Sequence, residues 1–451
     1  MAFEGAVLDA AVRRASVTRA VVVARDALAR LPAIVAELQP GRACRIVADP
    51  NTMDAAGRRA SALLRDAGLD VEEPIVLDEM PRPKPRADIA GNLAATLSRS
   101  GALPIAVGAG VINDVTKYAA GLARTPYVCV ATAASMDGYA ASGASMLVDG
   151  FKRTLACAPP LAVVADLDVI ARAPVRMAAW GYGDLAGKLV AGADWMLADA
   201  VGEEALAPQP LALVQDNVRA WLSEPARVAA RETGALRGLV EGLLVAGFAM
   251  QAHGNSRPAS GSEHQLAHVW EMERLVVDGE PAAHGACVGV GAVAIAALYE
   301  WLLEHDARDI AARIGATAAI DPTRIEAEVG ASFPDASLVA SAREETSAKL
   351  ARAACRDARV RALAECWAPL RMRLRGTLVP AATLAQWLRA CGAASRPGDL
   401  GVPLAKLAAD YRRARLIRRR YTILDCLEDL GWLDRAIGAV FAPDGYWGLP
   451  G

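Results

Sequence analysis

Leu103–Thr132 reads LPIAVGAGVINDVTKYAAGLARTPYVCVAT. An apolar run from Leu103 enters the glycine turn that ends at Gly110, Val111–Leu122 has helical spacing, and Tyr127–Thr132 is a second short apolar run. Two strands joined through a helix of this length predict parallel pairing, because parallel strands need a long crossover. The same alternation extends outward. Ala20–Ala24, Cys44–Asp49 and Pro74–Leu77 read as strands, and Asp26–Leu38, Asp54–Ala67 and Ala87–Arg99 as helices. Leu161–Asp168 is a further apolar run, and Ala173-Pro174 breaks the pattern. The prediction is an α/β parallel-sheet domain over residues 1–172 with helices on both faces. Residues 173–451 read almost wholly helical, ending in an Ala- and Arg-rich extension.

With 451 residues the chain exceeds what one core usually holds, which agrees with two domains. Hydrophobic residues at 54% and charged residues at 22% exclude a disordered class. A net charge of −2 gives no general attraction to nucleic acid. The eight cysteines show no C-x-x-C spacing, so they read as small core residues in a reduced, cytoplasmic compartment. Asp9, Arg13 and Arg14 interrupt any apolar leader, and Ala286–Tyr299 is shorter than the ~18–20 residues that span a bilayer. A buried helix is expected there. The basic run Arg412, Arg413, Arg415, Arg418, Arg419 and Arg420 is expected to be a solvated helix face.

Strand ends are where an open parallel sheet binds ligands. Asp49 closes its strand and is placed to accept from an adenine ribose diol, which favours NAD over NADP. Gly108-Ala109-Gly110-Val111-Ile112-Asn113-Asp114 is a turn poor in side chains opening a helix, where backbone N–H groups meet a pyrophosphate. A tight βα turn that binds nothing has the same look. Thr132-Ala-Ala-Ser135-Met-Asp137-Gly-Tyr139 then gathers two hydroxyls and a carboxylate at a strand end, where substrate and nicotinamide would sit. These residues also cap helices well.

Four of the five histidines fall between His253 and His284. His264 and His268 are one helical turn apart, and His284 lies in the loop-like A-A-H-G. A lone histidine is usually a satisfied core residue. Three in one segment beside Ser262 and Glu263 predict a metal site. The missing carboxylate is assigned to Asp184, which glycines bracket in W-G-Y-G-D-L-A-G-K (Trp180–Lys188). Asp184 with His264 and His284 leaves a position open, as a catalytic zinc site requires.

Together VGAGVINDVTKY, ATAASMDGY, GYGDLxGK, SRPASGSEHxxxH, HGxxVG and RYTILD resemble the sn-glycerol-1-phosphate dehydrogenase family. The resemblance runs in order from about residue 45 to about residue 430 and covers most of the chain. It implies a Rossmann-like N-terminal domain and a helical metal-binding domain of the dehydroquinate synthase-like, iron-alcohol-dehydrogenase-like kind. It makes Asp184, His264 and His284 the metal ligands, and His268 and Asp137 substrate contacts. Gly108, Ala109, Gly110, Val111, Ile112, Asp114, Lys117, Thr132, Ser135 and Ser142 fall to the NAD or NADP site, and Asp49 to the ribose. The chain departs from the family pattern at Ala141, which delays the serine of the second loop to Ser142, and in a longer C-terminal part.

The implied reaction is hydride transfer between a nicotinamide and the C2 carbon of a glycerol phosphate. Catalytic work falls to Asp184, Asp137 and His268, the last relaying a proton. Arg257 and Lys188, with Lys152 a further candidate, would take the substrate phosphate. Zinc suits two nitrogens and one oxygen, and nickel or iron(II) accepts the same set. A small phosphorylated polyol as substrate and a homo-oligomer complete the expectation, with no nucleic acid and no membrane span. Polyol dehydrogenases acting on unphosphorylated substrates, a dehydroquinate synthase-type cyclase and a silent nucleotide-binding relative are the rival readings.

Overall fold

A computed structural model describes residues 5–78, 83–148, 151–316, 321–333 and 335–448, with only the backbone for Phe151 and Lys152. The phosphate role expected of Lys152 therefore lies outside the described residues' side chains.

Six strands form one parallel sheet: β1 (Ala20–Ala24), β2 (Cys44–Ala48), β3 (Ile75–Val76), β4 (Leu103–Gly108), β5 (Val128–Ala131) and β8 (Ala162–Asp166), in spatial order β1-β8-β5-β4-β2-β3. From β2 the chain steps outward to β3, then returns to β4 on the other side of β2 and continues to β5 and β8. The direction of winding thus reverses between β2 and β4, the switch point where such sheets bind ligands. Successive β2 side chains serve opposite faces. Ile46 packs in the layer holding Leu31, Val35 and Leu64, and Val47 in the layer holding Leu93 and Val115.

Those layers are supplied by helices α1 (Ala6–Arg13), α2 (Leu31–Leu38), α3 (Arg58–Asp66), α4 (Ala87–Ser100) and α5 (Gly110–Leu122), of which α1 packs instead on a later helix. Helix α1 was not predicted. The expected helix from Asp54 starts earlier, because Asp49 and Thr52 form a capping box and Pro50 occupies the first helical turn. An antiparallel hairpin, β6 (Ala144–Val148) with β7 (Phe151–Leu155), was also not predicted.

The chain divides into two units, Met1–Leu185 with Ala212–Ser256, and Ala186–Leu211 with Arg257–Gly451. A single boundary was expected at residue 172, whereas this division is discontinuous. Helix α6 (Val175–Ala200) carries the first crossing without interruption. Helix α7 (Thr233–His253) joins the sheet unit because it packs on α1 and β1. Gln251 on α7 donates to Thr18 Oγ1 at 3.0 Å.

In the second unit α8 (Ser262–Met272) packs on α9 (His284–Leu302) and α10 (Leu404–Leu416). Between α8 and α9, Val276–Val277 pairs with Glu280–Pro281 around Asp278-Gly279. Asp278 at φ 52° and Gly279 at φ 79° both take the left-handed conformation that a two-residue hairpin demands. This reversal brings His284 back to α8. His284 is the first residue of α9 rather than part of a loop. Helices α7 and α9 are long and apolar enough to cross a bilayer, yet 78% and 89% of their apolar windows are buried inside the protein. The apolar run at Ala286–Tyr299 is thus a core helix, longer than predicted. The arginine run is only partly a solvated face: Arg415 is buried, while the Arg412 and Arg419 side chains remain exposed. Arg412 pairs with Asp434, Arg413 with Asp410 and Glu273, Arg415 with Glu328, and Arg419 with Glu345.

Candidate dinucleotide crevice and histidine centre

Asp49 and the glycine turn follow β2 and β4 at the switch point. A Cβ on Gly108 would collide with Ile112, so only glycine lets the turn close on its helix. Helix α5 starts at Gly110, and among the described residues no side chain caps it at Ala109. Its first-turn N–H groups, including that of Val111, suit an anion such as a pyrophosphate. Asp49 Oδ1 accepts from Thr52 N at 2.9 Å, so the ribose candidate is also a helix cap.

The polar loop is bound to that turn, since Thr132 N donates to Gly108 O at 3.2 Å. Ser135 Oγ lies 3.3 Å from Tyr139 Oη, which donates to Ala133 O at 2.6 Å. Lys117 was expected at the cofactor. Its buried Nζ donates to the carbonyls of Gly138, Ala141 and Gly143 at 2.7, 3.0 and 3.2 Å, on either side of Ser142. It holds the loop. Asp114, expected at the cofactor, also serves the framework: it accepts from Ser145 N at 3.3 Å and stands 3.7 Å from Lys117. Asp137 N donates to Asp184 Oδ2 at 2.9 Å, and Asp184 is wholly buried on α6.

In the second unit α8 and α9 gather three imidazoles. Ring centroids are 5.2 Å apart for His264 and His284, 5.7 Å for His268 and His284, and 6.1 Å for His264 and His268. Each Nδ1 meets a carboxylate: His264 with Glu263 at 2.6 Å, His268 with Glu271 at 3.0 Å, and His284 with Glu271 at 2.9 Å. A proton held on Nδ1 makes Nε2 the lone-pair nitrogen, which is the arrangement around metal-bound histidines. Burial holds the His264 imidazole well below its usual pKa, and the charge of Lys188 adds to this. The ring is therefore neutral at neutral pH, the form that binds a metal. Burial, with Asp194 nearby, pushes the Glu263 carboxyl up to about 8. This donor set fits a divalent ion.

The framework behind these rings is Asp194. It accepts from Ser262 N and Oγ at 2.7 Å each, from Tyr299 Oη at 2.7 Å and from Ile423 N at 2.9 Å. Its carboxylate thereby fixes the start of α8. A Cβ on Gly187 would lie 2.6 Å from Val288 and 3.2 Å from Glu263, so α6 runs close beside α8 and α9 there. Asp184 stands on the same helix one turn before Gly187 and Lys188. Lys188 is buried with its charge acting on Glu263 and His264. Arg257 is buried too, donating to the carbonyls of Asp194 at 2.8 Å and Tyr421 at 3.1 Å and pairing with Glu204 at 3.2 Å. The sequence reading missed Glu271 and Asp194. Glu271 carried a signal, because three residues after His268 on a helix is the same face.

Comparison with known proteins agrees with this geometry. The family described as iron-containing alcohol dehydrogenase matches residues 22–174. A glycerol-1-phosphate dehydrogenase [NAD(P)+] of Methanosarcina mazei is 31% identical over 68% of this chain and 84% of that relative. The chain belongs to the glycerol-1-phosphate dehydrogenase family. The family member of Halalkalibacterium halodurans is 36% identical over 56% of this chain, which spans 64% of that relative's length. A probable glycerol dehydrogenase from Sinorhizobium meliloti superposes with TM-score 0.59 at 15% identity, covering 93% of this chain and 97% of its own. The glycerol dehydrogenase of Schizosaccharomyces pombe gives 0.57 at 16%, covering 93% and 90%. At such identities the likeness shows the fold: a parallel sheet unit followed by a helical one.

Proposed function

We propose that this chain interconverts sn-glycerol 1-phosphate and dihydroxyacetone phosphate, with NAD(H) or NADP(H) as the hydride carrier and a divalent metal. The observation that carries the reading is the trio His264, His268 and His284, each with Nδ1 on a carboxylate, in a chain of this family. We assign the metal to Asp184, His264 and His284, with zinc first by donor chemistry and nickel or iron(II) as alternatives. When bound, the metal supplies Lewis-acid stabilisation of negative charge on the C2 oxygen.

The remaining work is assigned to the chain's own groups. Asp137 orients the substrate hydroxyl, and its backbone N–H fixes the Asp184 carboxylate at 2.9 Å. Oxidation removes a hydride from C2 and a proton from its hydroxyl. A nicotinamide dinucleotide with its pyrophosphate at the Gly108–Ile112 turn would take the hydride, and His268 would pass the proton to solvent. Arg257 and Lys188 supply positive charge for the phosphate. The free state of all eight cysteines supports a cytoplasmic location. A homo-oligomer is part of the proposal.

The test is the Asp184→Asn variant, measured for bound metal by elemental analysis and for NADH oxidation with dihydroxyacetone phosphate. Loss of both supports the assignment. A variant that keeps metal and turnover contradicts it.

A further inference from the structure

Glu271 has a position that the assigned ligand set does not use. Its two carboxylate oxygens are divided between two rings: Oε2 lies 3.0 Å from His268 Nδ1 and Oε1 2.9 Å from His284 Nδ1. The rings it joins have centroids 5.7 Å apart and an interplanar angle of 29°. The Nδ1 of His264 lies instead against Glu263, at 2.6 Å. Glu271 reaches His268 along one face of α8 and reaches His284 because the Asp278-Gly279 reversal folds α9 back onto that face. The guanidinium of Arg418 also feels the charge of Glu271, which ties the C-terminal arginine run to this carboxylate.

We propose that Glu271 is a positioning residue that fixes the metal ligand His284 and the proton-carrying His268 to each other through the two oxygens of one carboxylate. The proposal rests on the metal-centre reading above. A carboxylate presents a separate acceptor oxygen to each of the two Nδ1–H groups. Glutamine has a single acceptor oxygen, and its NH2 can only donate. Glu271→Gln therefore forces one ring to lose its bond or to exchange tautomer, which moves the lone pair away from Nε2. Aspartate keeps two acceptors on a shorter stem. It retains the tautomer preference at poorer reach.

His268, Glu271 and His284 also bring ligand atoms within 4.8 Å of one another, the pattern of a cation site. In the proton-bridged form each oxygen of Glu271 takes one Nδ1 proton. A second ion there would replace those protons, so metal stoichiometry separates the two forms.

The experiment uses the full chain freed of metal and titrated with Co(II), for the wild type, Glu271→Gln and Glu271→Asp. Equilibrium dialysis gives affinity and stoichiometry, visible absorption reports ligand geometry, and thermal unfolding of the metal-free proteins confirms folding. The expected result is one tight ion per wild-type chain. Glu271→Gln should bind it about 10–100-fold more weakly with a changed Co(II) spectrum, and Glu271→Asp should fall between. At saturating metal, Glu271→Gln should also lower kcat, since His268 is misplaced. Unchanged affinity and spectrum in a folded Glu271→Gln overturn the proposal alone. Two tight ions in the wild type, reduced to one in Glu271→Gln, overturn it in favour of a second cation site. A wild type that takes up no Co(II) overturns the metal-centre reading and this proposal with it.

Discussion

Gly108 and Asp49 each have a framework role and a proposed cofactor role, and substitutions separate them. Alanine at 108 would collide with Ile112, so Gly108→Ala must open the turn. We expect a stability loss of about 1–3 kcal/mol from overpacking. NADH affinity should fall by roughly tenfold or more, as two or three lost N–H contacts at about 0.5–1.5 kcal/mol each imply. Thermal unfolding and fluorescence titration measure these. Asn also caps helices, so Asp49→Asn should change stability by no more than ~0.5 kcal/mol. The same change removes the negative charge that disfavours a 2′-phosphate. The ratio of kcat/KM for NADH over NADPH should fall, and an unchanged ratio would remove Asp49 from the ribose site. Both residues were legible in the sequence as strand ends, because period and glycine punctuation are local signals. Lys117 was not. Its identity and helix position suit a phosphate, but the carbonyls of Gly138, Ala141 and Gly143 that claim its amine are set by the fold of a loop.

Among elements, the strands and helices of the sheet unit were readable because period and glycine punctuation agree over each segment. The β6–β7 hairpin escaped because its strands, Ala144–Val148 and Phe151–Leu155, are short and carry few β-branched residues. The arginine run misled for another reason. Helical spacing says which residues share a face, not that Glu328, Glu345 and Asp434 will meet that face from distant segments. Helix α8 depends on Asp194, whose four donors come from Ser262, Tyr299 and Ile423. Asp194→Ala leaves those donors unpaired in a buried setting and should cost about 3–5 kcal/mol in urea unfolding. It should also weaken metal binding, because His264 lies two residues beyond Ser262. A loss under ~1 kcal/mol would show that α8 starts without this anchor.

At the scale of the whole molecule, the discontinuous division left little mark in composition, since the crossings at Leu185 and Ala212 are internal to helices and only the one at Arg257 falls in a turn. The metal is expected to matter for stability as well as chemistry. At free metal 100–1,000 times its Kd, binding contributes about 3–4 kcal/mol, so chelation should lower the unfolding temperature and readdition should restore it. The central claim is the phosphorylated substrate. Its most direct test is NADH oxidation by the metal-loaded protein with dihydroxyacetone phosphate and, separately, with dihydroxyacetone. Turnover of the phosphate is expected to exceed that of the unphosphorylated compound by at least about a hundredfold, as a charge-assisted contact of about 3 kcal/mol implies. Equal or faster turnover of dihydroxyacetone would contradict it and place the chain's activity with polyols that carry no phosphate.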